Sequence, residues 1–370
     1  MGRRRRQPVT ALRAELHPFR LALRSPLLTG GVSIRCRAGF LVALSADGIT
    51  GWGEASPLPG WSRTSLLDTE TALRSVSDDL ARGGEAALDA VLAAMHDAPH
   101  ARAGVAGAWA DLQALRTGQR LAGRLVAYPS CAPASEVAVN ALVAAPEPSE
   151  VEQAAHDAVE AGFQAVKLKV GAVDPEVDVS RIRAARAGLG PAAELRLDAN
   201  GAWDERTALE VLERVEDSDI AYCEEPVAGI DAIAAVSQRG PVPAAVDESI
   251  CDESDAVRAL DAGIGNLIVK PQALGGPDVA LAIAARAHEA EASVTVTSFL
   301  DSAVGVAHAL HVAAAVDGAS RHPRAHGLAT ADLLATDVAE AVPVAAGVMS
   351  VPAVPGLGIV PEPASSPLSP

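Results

Sequence analysis

Lys167 and Lys169 lie two residues apart in the stretch QAVKLKVG, so a strand there points both to one face. Lysine is seldom buried without a purpose. Two ammonium groups side by side repel, and each makes the other costlier to protonate. A lysine so placed can lose its proton near neutral pH and act as a base. An edge strand with a solvated lysine face has the same pattern, and these residues alone leave both readings open.

Five further polar residues end apolar stretches: Asp198 in ELRLDA, Glu224 in IAYCEE, Asp247 in PAAVDE, Lys270 in NLIVKP and Ser298 in SVTVTS. Each follows the last by about one β/α unit, so successive strands carry them at one level. A solvated charge run does not recur once per unit. The recurrence favours chemistry at Lys169, with Lys270 as a second catalytic lysine. Asp198, Glu224 and Asp247 are three carboxylates on neighbouring strands, and unpaired they repel. A hard divalent cation removes that repulsion. Oxygen donors without Cys or His favour Mg2+, with Mn2+ as a substitute. The alternative, a salt-bridge network with the lysines, leaves a row of anions short of partners.

Strands carrying this chemistry must be held side by side. From about Val137 short apolar stretches alternate with Ala-rich helical ones: VAVNALVA, AVKLKV, the five already quoted, and a last one near RAHGL. Helices are expected to start near Ser149, Asp174, Asp204, Ala228, Glu253, Gly276 and Asp301, several with Asp or Ser caps. Eight such units predict an α/β fold, a (β/α)8-type TIM barrel. A doubly wound open sheet is the runner-up, but VAAPEPSE lacks its glycine-rich turn. In the barrel, Lys169 on the second strand and Lys270 on the sixth face each other across the acids. That suits removal of a proton α to a substrate carboxylate, with the enediolate stabilised by metal charge and Lys167 keeping the base's pKa low.

The region before the barrel reads differently. VTALRAEL, GVSIRCRAGFLVALS and ITGWGEASP predict antiparallel strands, with Asp47–Gly48 as a hairpin turn. Helical stretches follow at Ser65–Arg82, Ala86–Met95 and Ala101–Arg116. The expected division is a disordered basic end over 1–8, an α+β capping domain over 9–125, the barrel over 126–335, and a return to the cap with a Pro/Ser-rich tail over 336–370.

With 370 residues and 49% hydrophobic content, the chain can bury a large core. Its net charge of −17 argues against nucleic-acid or anionic-membrane partners and for a soluble protein; the expected partner is the small-molecule carboxylate substrate that the lysines suit, and oligomeric state stays open. Cys36, Cys131, Cys223 and Cys251 form no CxxC pair, as expected for a reducing, cytoplasmic setting. MGRRRRQP has no apolar run after it and does not read as a secretory signal. Cys223 is expected to pack between strand and helix, Trp203 at a helix start, and Trp52 and Trp61 in packing. His308 and His311 are expected at a surface or in contact with the cap rather than on a metal.

KLKVG, LRLDANGAW, CEEP, AVDES and IVKPQALGG, in that order, resemble the enolase superfamily, muconate-lactonizing-enzyme subgroup. The resemblance spans nearly the whole chain. It implies Mg2+ on Asp198, Glu224 (not Glu225) and Asp247, with Glu248 beside them. TSFLDSAVG, HGLAT, PLLTGG and GWGEASPLPG are most similar to the o-succinylbenzoate synthases of actinobacterial type. That likeness implies dehydration of 2-succinyl-6-hydroxy-2,4-cyclohexadiene-1-carboxylate in menaquinone biosynthesis. Lys169 then removes the α-proton and returns it to the departing hydroxyl, while Lys270 stabilises the enediolate. Arg196 and Asn200, on the face of Asp198, are expected to line the pocket, and Ser298 to meet the succinyl group. TSFLD has no His base of the mandelate-racemase type, and HGLAT lacks the Asp-x-Asp of dipeptide epimerases. An N-succinylamino acid racemase needs the same lysines and metal and remains the alternative, muconate cycloisomerisation a lesser one. A non-catalytic binding barrel is the reading from another class.

Overall fold

The structure, a computed structural model, describes residues 12–29, 32–125, 131–320 and 323–362. The Arg-rich start, the glycines of PLLTGG and the tail beyond Glu362 lie outside the described residues.

Three antiparallel strands come first, paired in chain order: β1 (Arg13–Thr29), β2 (Val32–Ala46) and β3 (Ile49–Ala55). Asp47 and Gly48 join β2 to β3 with φ of 54° and 77°, the left-handed pair that a two-residue hairpin needs. Helices α1 (Leu66–Gly83), α2 (Leu88–Ala94) and α3 (Pro99–Thr117) cover this sheet, and a short α4 (Leu121–Arg124) follows. Ser65 and Asp68 cap the start of α1 reciprocally. The stretch expected as one helix from Ala86 opens instead as a 3-10 turn over Gly84–Ala87. β3 rests directly on α3. A Cβ at Gly53 would stand 2.0 Å from the Gly104 carbonyl oxygen, so only glycine admits that approach.

Strands and helices then alternate. In order they are β4 (Glu136–Ala138), β5 (Ala141–Val143), α5 (Pro148–Glu160), β6 (Ala165–Lys169), α6 (Pro175–Leu189), β7 (Glu194–Asp198), α7 (Glu205–Arg214), β8 (Ile220–Glu224) and α8 (Ile230–Arg239). The series goes on through β9 (Ala244–Ala245), α9 (Glu253–Asp261), β10 (Asn266–Val269), α10 (Pro271–Leu274), α11 (Pro277–Glu289), β11 (Ser293–Val296) and α12 (Ala303–Ala319). β12 (Val344–Ala345) and β13 (Val348–Ser350) close the chain's regular structure. Strands β5 to β9 form one parallel sheet and β10 and β11 a second. Single parallel bridges link the pieces: Val246 with Leu267, Thr297 with Gly327, and His326 with Val139. Among the described residues no helix is long and apolar enough to cross a membrane.

Two expectations are corrected. VAVNALVA is not one strand. Its first part, β4, pairs antiparallel with β13, and its last part, β5, joins the parallel sheet. The switch falls where the Val139 amide donates to Gly347 and the Asn140 amide to His326, because each N–H has one partner to give. The expected last strand at RAHGL is present only as the bridges at His326 and Gly327. In the C-terminal stretch the Leu357 amide donates to Asp111 and the Gly356 amide to the Gln119 carbonyl.

α12 is buried almost all round, wedged between the two parts of the chain. This corrects the surface reading of its histidines. His311 is fully buried, with Nδ1 accepting from the Ala122 amide at 3.1 Å and Nε2 donating to Leu357 at 3.0 Å. His308 Nε2 donates to the Trp52 carbonyl of β3 at 2.8 Å, a contact with the N-terminal sheet. Cys223 is buried on β8 and Trp203 just before α7, as expected. Burial pushes the His308 imidazole down from 6.5 to about 4. The folded chain thus keeps it neutral, while the unfolded chain takes up a proton below pH 6.5, so folding loses stability as the pH falls through that window. The stability gap between wild type and His308→Gln is therefore expected to shrink by about 1.4 kcal/mol per pH unit below the free imidazole pKa. Urea unfolding of both proteins from neutral to mildly acid pH reads this, and a constant gap would contradict it.

Candidate active site

The parallel register sets the site. Lys169 on β6, Asp198 on β7 and Glu224 on β8 are Cα partners in one row, each the last residue of its strand. The row continues on β9, whose end lies two residues before Asp247, while Lys270 and Ser298 follow β10 and β11. Alternation turns the intervening Leu168, Leu197 and Cys223 into the layer under the helices, where they are fully buried. Just past these strand ends Asn200, Glu225 and Leu300 take left-handed φ of 47°, 40° and 58°, conformations that non-glycine residues adopt only when their surroundings hold them there.

One cavity opens at this level. Lys167, Lys169, Asp198, Asn200, Lys270 and Ser298 all line it, together with Glu248. Lys169 Nζ donates to Asp198 Oδ2 at 2.6 Å and to Asn200 Oδ1 at 2.8 Å. Lys270 Nζ pairs with Asp247 on the other side. Ser298 Oγ lies 2.8 Å from Thr330 Oγ1.

The expected role of Lys167 is corrected. It does not stand as a bare neighbouring charge: its Nζ is 3.0 Å from both Asp198 Oδ2 and Glu224 Oε1. Burial disfavours its charge, but Asp198, Glu224 and Asp247 outweigh burial and raise its pKa well above the lysine range. Lys167 is thus a bridge between two acids.

Arg196 is the second correction. It is fully buried and has no place among the residues lining the cavity. Its Nε donates to Glu194 at 2.7 Å, its Nη1 to the Ala325 carbonyl at 2.6 Å, and its guanidinium lies 5.2 Å from the Tyr222 ring centre. It shares a face with Asp198, but two residues earlier on a strand is one layer deeper in the interior.

The three acids are buried and adjacent. Lys167 joins Glu224 to Asp198, and Asp247 pairs with Lys270. Burial works to raise Asp198, yet Lys167 and Lys169 hold it far below the usual carboxylate range. Glu224 is raised by burial and by Asp198; Asp247 is raised well up by burial and by Glu248, against the pull of Lys270. Glu248 accepts from Asn200 Nδ2 at 2.9 Å with Oε1, while its Oε2 is buried without a partner. Glu225 instead supports the main chain, with Oε2 accepting from the Asp247 amide at 2.8 Å. Among the described residues no group of three or more acids, histidines or cysteines is placed to hold a metal ion, and lysine ammoniums pair with the acids. The donor chemistry nevertheless suits a hard divalent cation: three buried carboxylates at or just past neighbouring strand ends, beside the orphaned Glu248 oxygen.

Sequence reading did not place the cavity's other wall. Leu27, Ile34, Leu58 and Trp61 come from the strands and loop before α1, and Phe299 and Leu300 from the turn after β11. GWGEASPLPG carried a signal for Leu58, but Trp61 read only as packing. Thr297 and Asn140, also on the wall, are ordinary polar residues near strand ends, brought there by the bridges Thr297–Gly327 and Val139–His326.

The family model described as "Enolase C-terminal domain-like" matches residues 150–365, and "MenC, N-terminal domain" matches 11–110. The o-succinylbenzoate synthase of Thermobifida fusca is 38% identical over 207 residues, which are 55% of this chain and 62% of that protein, so the match spans under two thirds of the relative. The o-succinylbenzoate synthase of Thermosynechococcus vestitus is 30% identical over 69% of this chain and 74% of that one. Among solved structures, a dipeptide epimerase from Cytophaga hutchinsonii complexed with Mg and D-Ala-L-Val superposes with a TM-score of 0.84 at 26% identity, covering 95% of this chain and 96% of that one. The first family match takes in every strand that bears a lysine or carboxylate of the cavity, and by it the chain belongs to the enolase superfamily.

Proposed function

We propose that this chain is an o-succinylbenzoate synthase of menaquinone biosynthesis, a cytoplasmic Mg2+-dependent hydro-lyase built as a (β/α)8-type barrel under an α+β cap. The single parallel bridges between its sheets would be the barrel's seams, and the region before about residue 126 its cap. The observation that carries the reading is one cavity lined by Lys169, Lys270 and the buried Asp198, with the buried Glu224 and Asp247 outside its lining but paired with the lining residues Lys167 and Lys270. The two synthase relatives support the substrate. Asp198, Glu224 and Asp247 would hold Mg2+, which when bound supplies positive charge to the substrate carboxylate.

The chain's own residues do the rest. Lys169, as the neutral amine, takes the proton from the carbon α to the carboxylate, and Asn200 Oδ1 orients that amine. The C–H electron pair moves toward the carboxylate and is held there as the enediolate. The pair then returns to form the ring double bond, the C–OH bond breaks, and the Lys169 ammonium delivers its proton to the departing oxygen. One water leaves and the ring becomes aromatic. Lys270 remains protonated beside Asp247 and faces the developing charge. Ser298 and Thr330 offer hydroxyls for the succinyl group.

A second reading has its own support: lysines on two sides of one cavity also suit a racemase of N-succinylamino acids, with Lys270 as the second base. Ultraviolet monitoring of the cyclohexadiene substrate, with and without Mg2+, tests the first. We expect Mg2+-dependent loss of the substrate's absorbance. No loss, together with α-deuterium uptake by N-succinylamino acids in D2O, would replace it with the second.

A further inference from the structure

Arg37 on β2 is 1% exposed, and its hydrogen bonds go to two chain segments that wall the cavity. Nε donates to the Leu300 carbonyl at 2.8 Å; Nη1 donates to Pro57 at 2.9 Å; Nη2 donates to the Ser56 carbonyl at 2.6 Å and to Ser56 Oγ at 3.1 Å. Glu54 on β3 reinforces the same junction, accepting from Ser56 Oγ at 2.6 Å and from the Ser302 and Gly305 amides at 3.2 and 2.9 Å. Leu300 sits in the left-handed region, where a branched side chain is strained and must be held. Arg37 holds it by its carbonyl, and Asp301 Oδ2 accepts the Phe299 amide at 2.8 Å.

Phe299 is the residue this clamp fixes. Its ring stacks on His100 of α3 at 5.6 Å between centres, with planes 17° apart. Lys270 Nζ lies 5.7 Å from the same ring's centre. An ammonium is drawn to an aromatic face. Lys270 therefore has two fixed neighbours, Asp247 and the Phe299 ring, and the second is placed by residues of the N-terminal part of the chain.

We propose that Arg37 and His100 are positioning residues which set the Phe299 ring against Lys270, so that the N-terminal part of the chain acts on the chemistry as well as covering the cavity. This rests on the function proposed above in so far as Lys270 takes part in turnover. The ring aims the Lys270 ammonium at the cavity. Leucine at 299 fills similar space without a face to hold a cation. Losing Arg37 lets Leu300 relax and carries the ring away.

The test is a double-mutant cycle on full-length protein with Mg2+. It combines Arg37→Met and Phe299→Leu, reads kcat and KM on the cyclohexadiene substrate, or on N-succinylamino acids if only these turn over, and checks folding by thermal melting. Each single change is expected to lower kcat about tenfold, with KM moving less than about threefold. The double variant is expected to be no slower than the worse single, because both remove one interaction. Independent structural damage would instead multiply. If Arg37→Met does not fold, His100→Leu takes its place in the cycle. Multiplying effects, or an unchanged kcat in Phe299→Leu, would overturn the proposal alone. A wild type with no turnover on either substrate would overturn the functional reading and this proposal with it.

Discussion

Lys169→Ala is expected to lower kcat by about a thousandfold or more, within the range that a positioned general base contributes. The change removes an amine that lies 2.6 Å from Asp198 and 2.8 Å from Asn200. Lys167 offers no replacement. It is buried and held between Asp198 and Glu224, 3.0 Å from each. Folding survives, because Asp198 keeps Lys167 as a partner at 3.0 Å. Lys169→Arg sharpens the test. It keeps the positive charge beside Asp198, but a guanidinium does not give up its proton near neutral pH. If Lys169 is the base, the Arg variant is as inactive as the Ala variant. If Lys169 serves only as a counter-charge, the Arg variant retains most of the rate. Turnover near wild type in Lys169→Ala, with an unchanged melting curve, would remove the base assignment.

Removing divalent cation is expected to abolish turnover and, separately from activity, to destabilise the fold. A cation that binds only the folded chain at a hundredfold excess over its Kd adds about 2.7 kcal/mol. The physical reason lies in the acids. Glu224 and Asp247 are raised by burial and by neighbouring carboxylates, so ammonium groups alone leave their charge poorly supported. A melting temperature that rises with Mg2+ and falls with EDTA is the expected result. Asp247→Asn should flatten that response while leaving the chain folded, since Lys270 keeps a polar partner there. A wild-type melting curve indifferent to both Mg2+ and EDTA would count against a metal on these residues, whatever the assay shows.

The strand-end pattern was legible because it is local. A parallel strand buried on both faces has little place for Lys169, Asp198 or Glu224 except at its end, and a spacing of about one β/α unit puts those ends level. The helix starts at Asp174, Asp204 and Asp252–Glu253 were equally legible, since each cap is a side chain bonding an amide two or three residues on. The last strand was legible in place, at RAHGL, but not in extent. His326 and Gly327 hold their places through Val139 and Thr297, and nothing near them in sequence says that two bridges suffice. The surface alternative for His308 and His311 overlooked that α12 is apolar all round, which is the pattern of a helix buried on every side.

The sequence by itself determined which residue types stand at the mouth of the parallel strands, because side-chain alternation and the length of a β/α unit are properties of short stretches. Only the tertiary structure decided which of them reach the cavity and what they touch there. Arg196 and Asp198 share a strand face, yet depth separates a buried floor from the site. Lys167 gained Glu224, 57 residues away, and Arg37 gained Leu300, 263 residues away. Such pairings are set by how the whole chain packs, which no local pattern encodes.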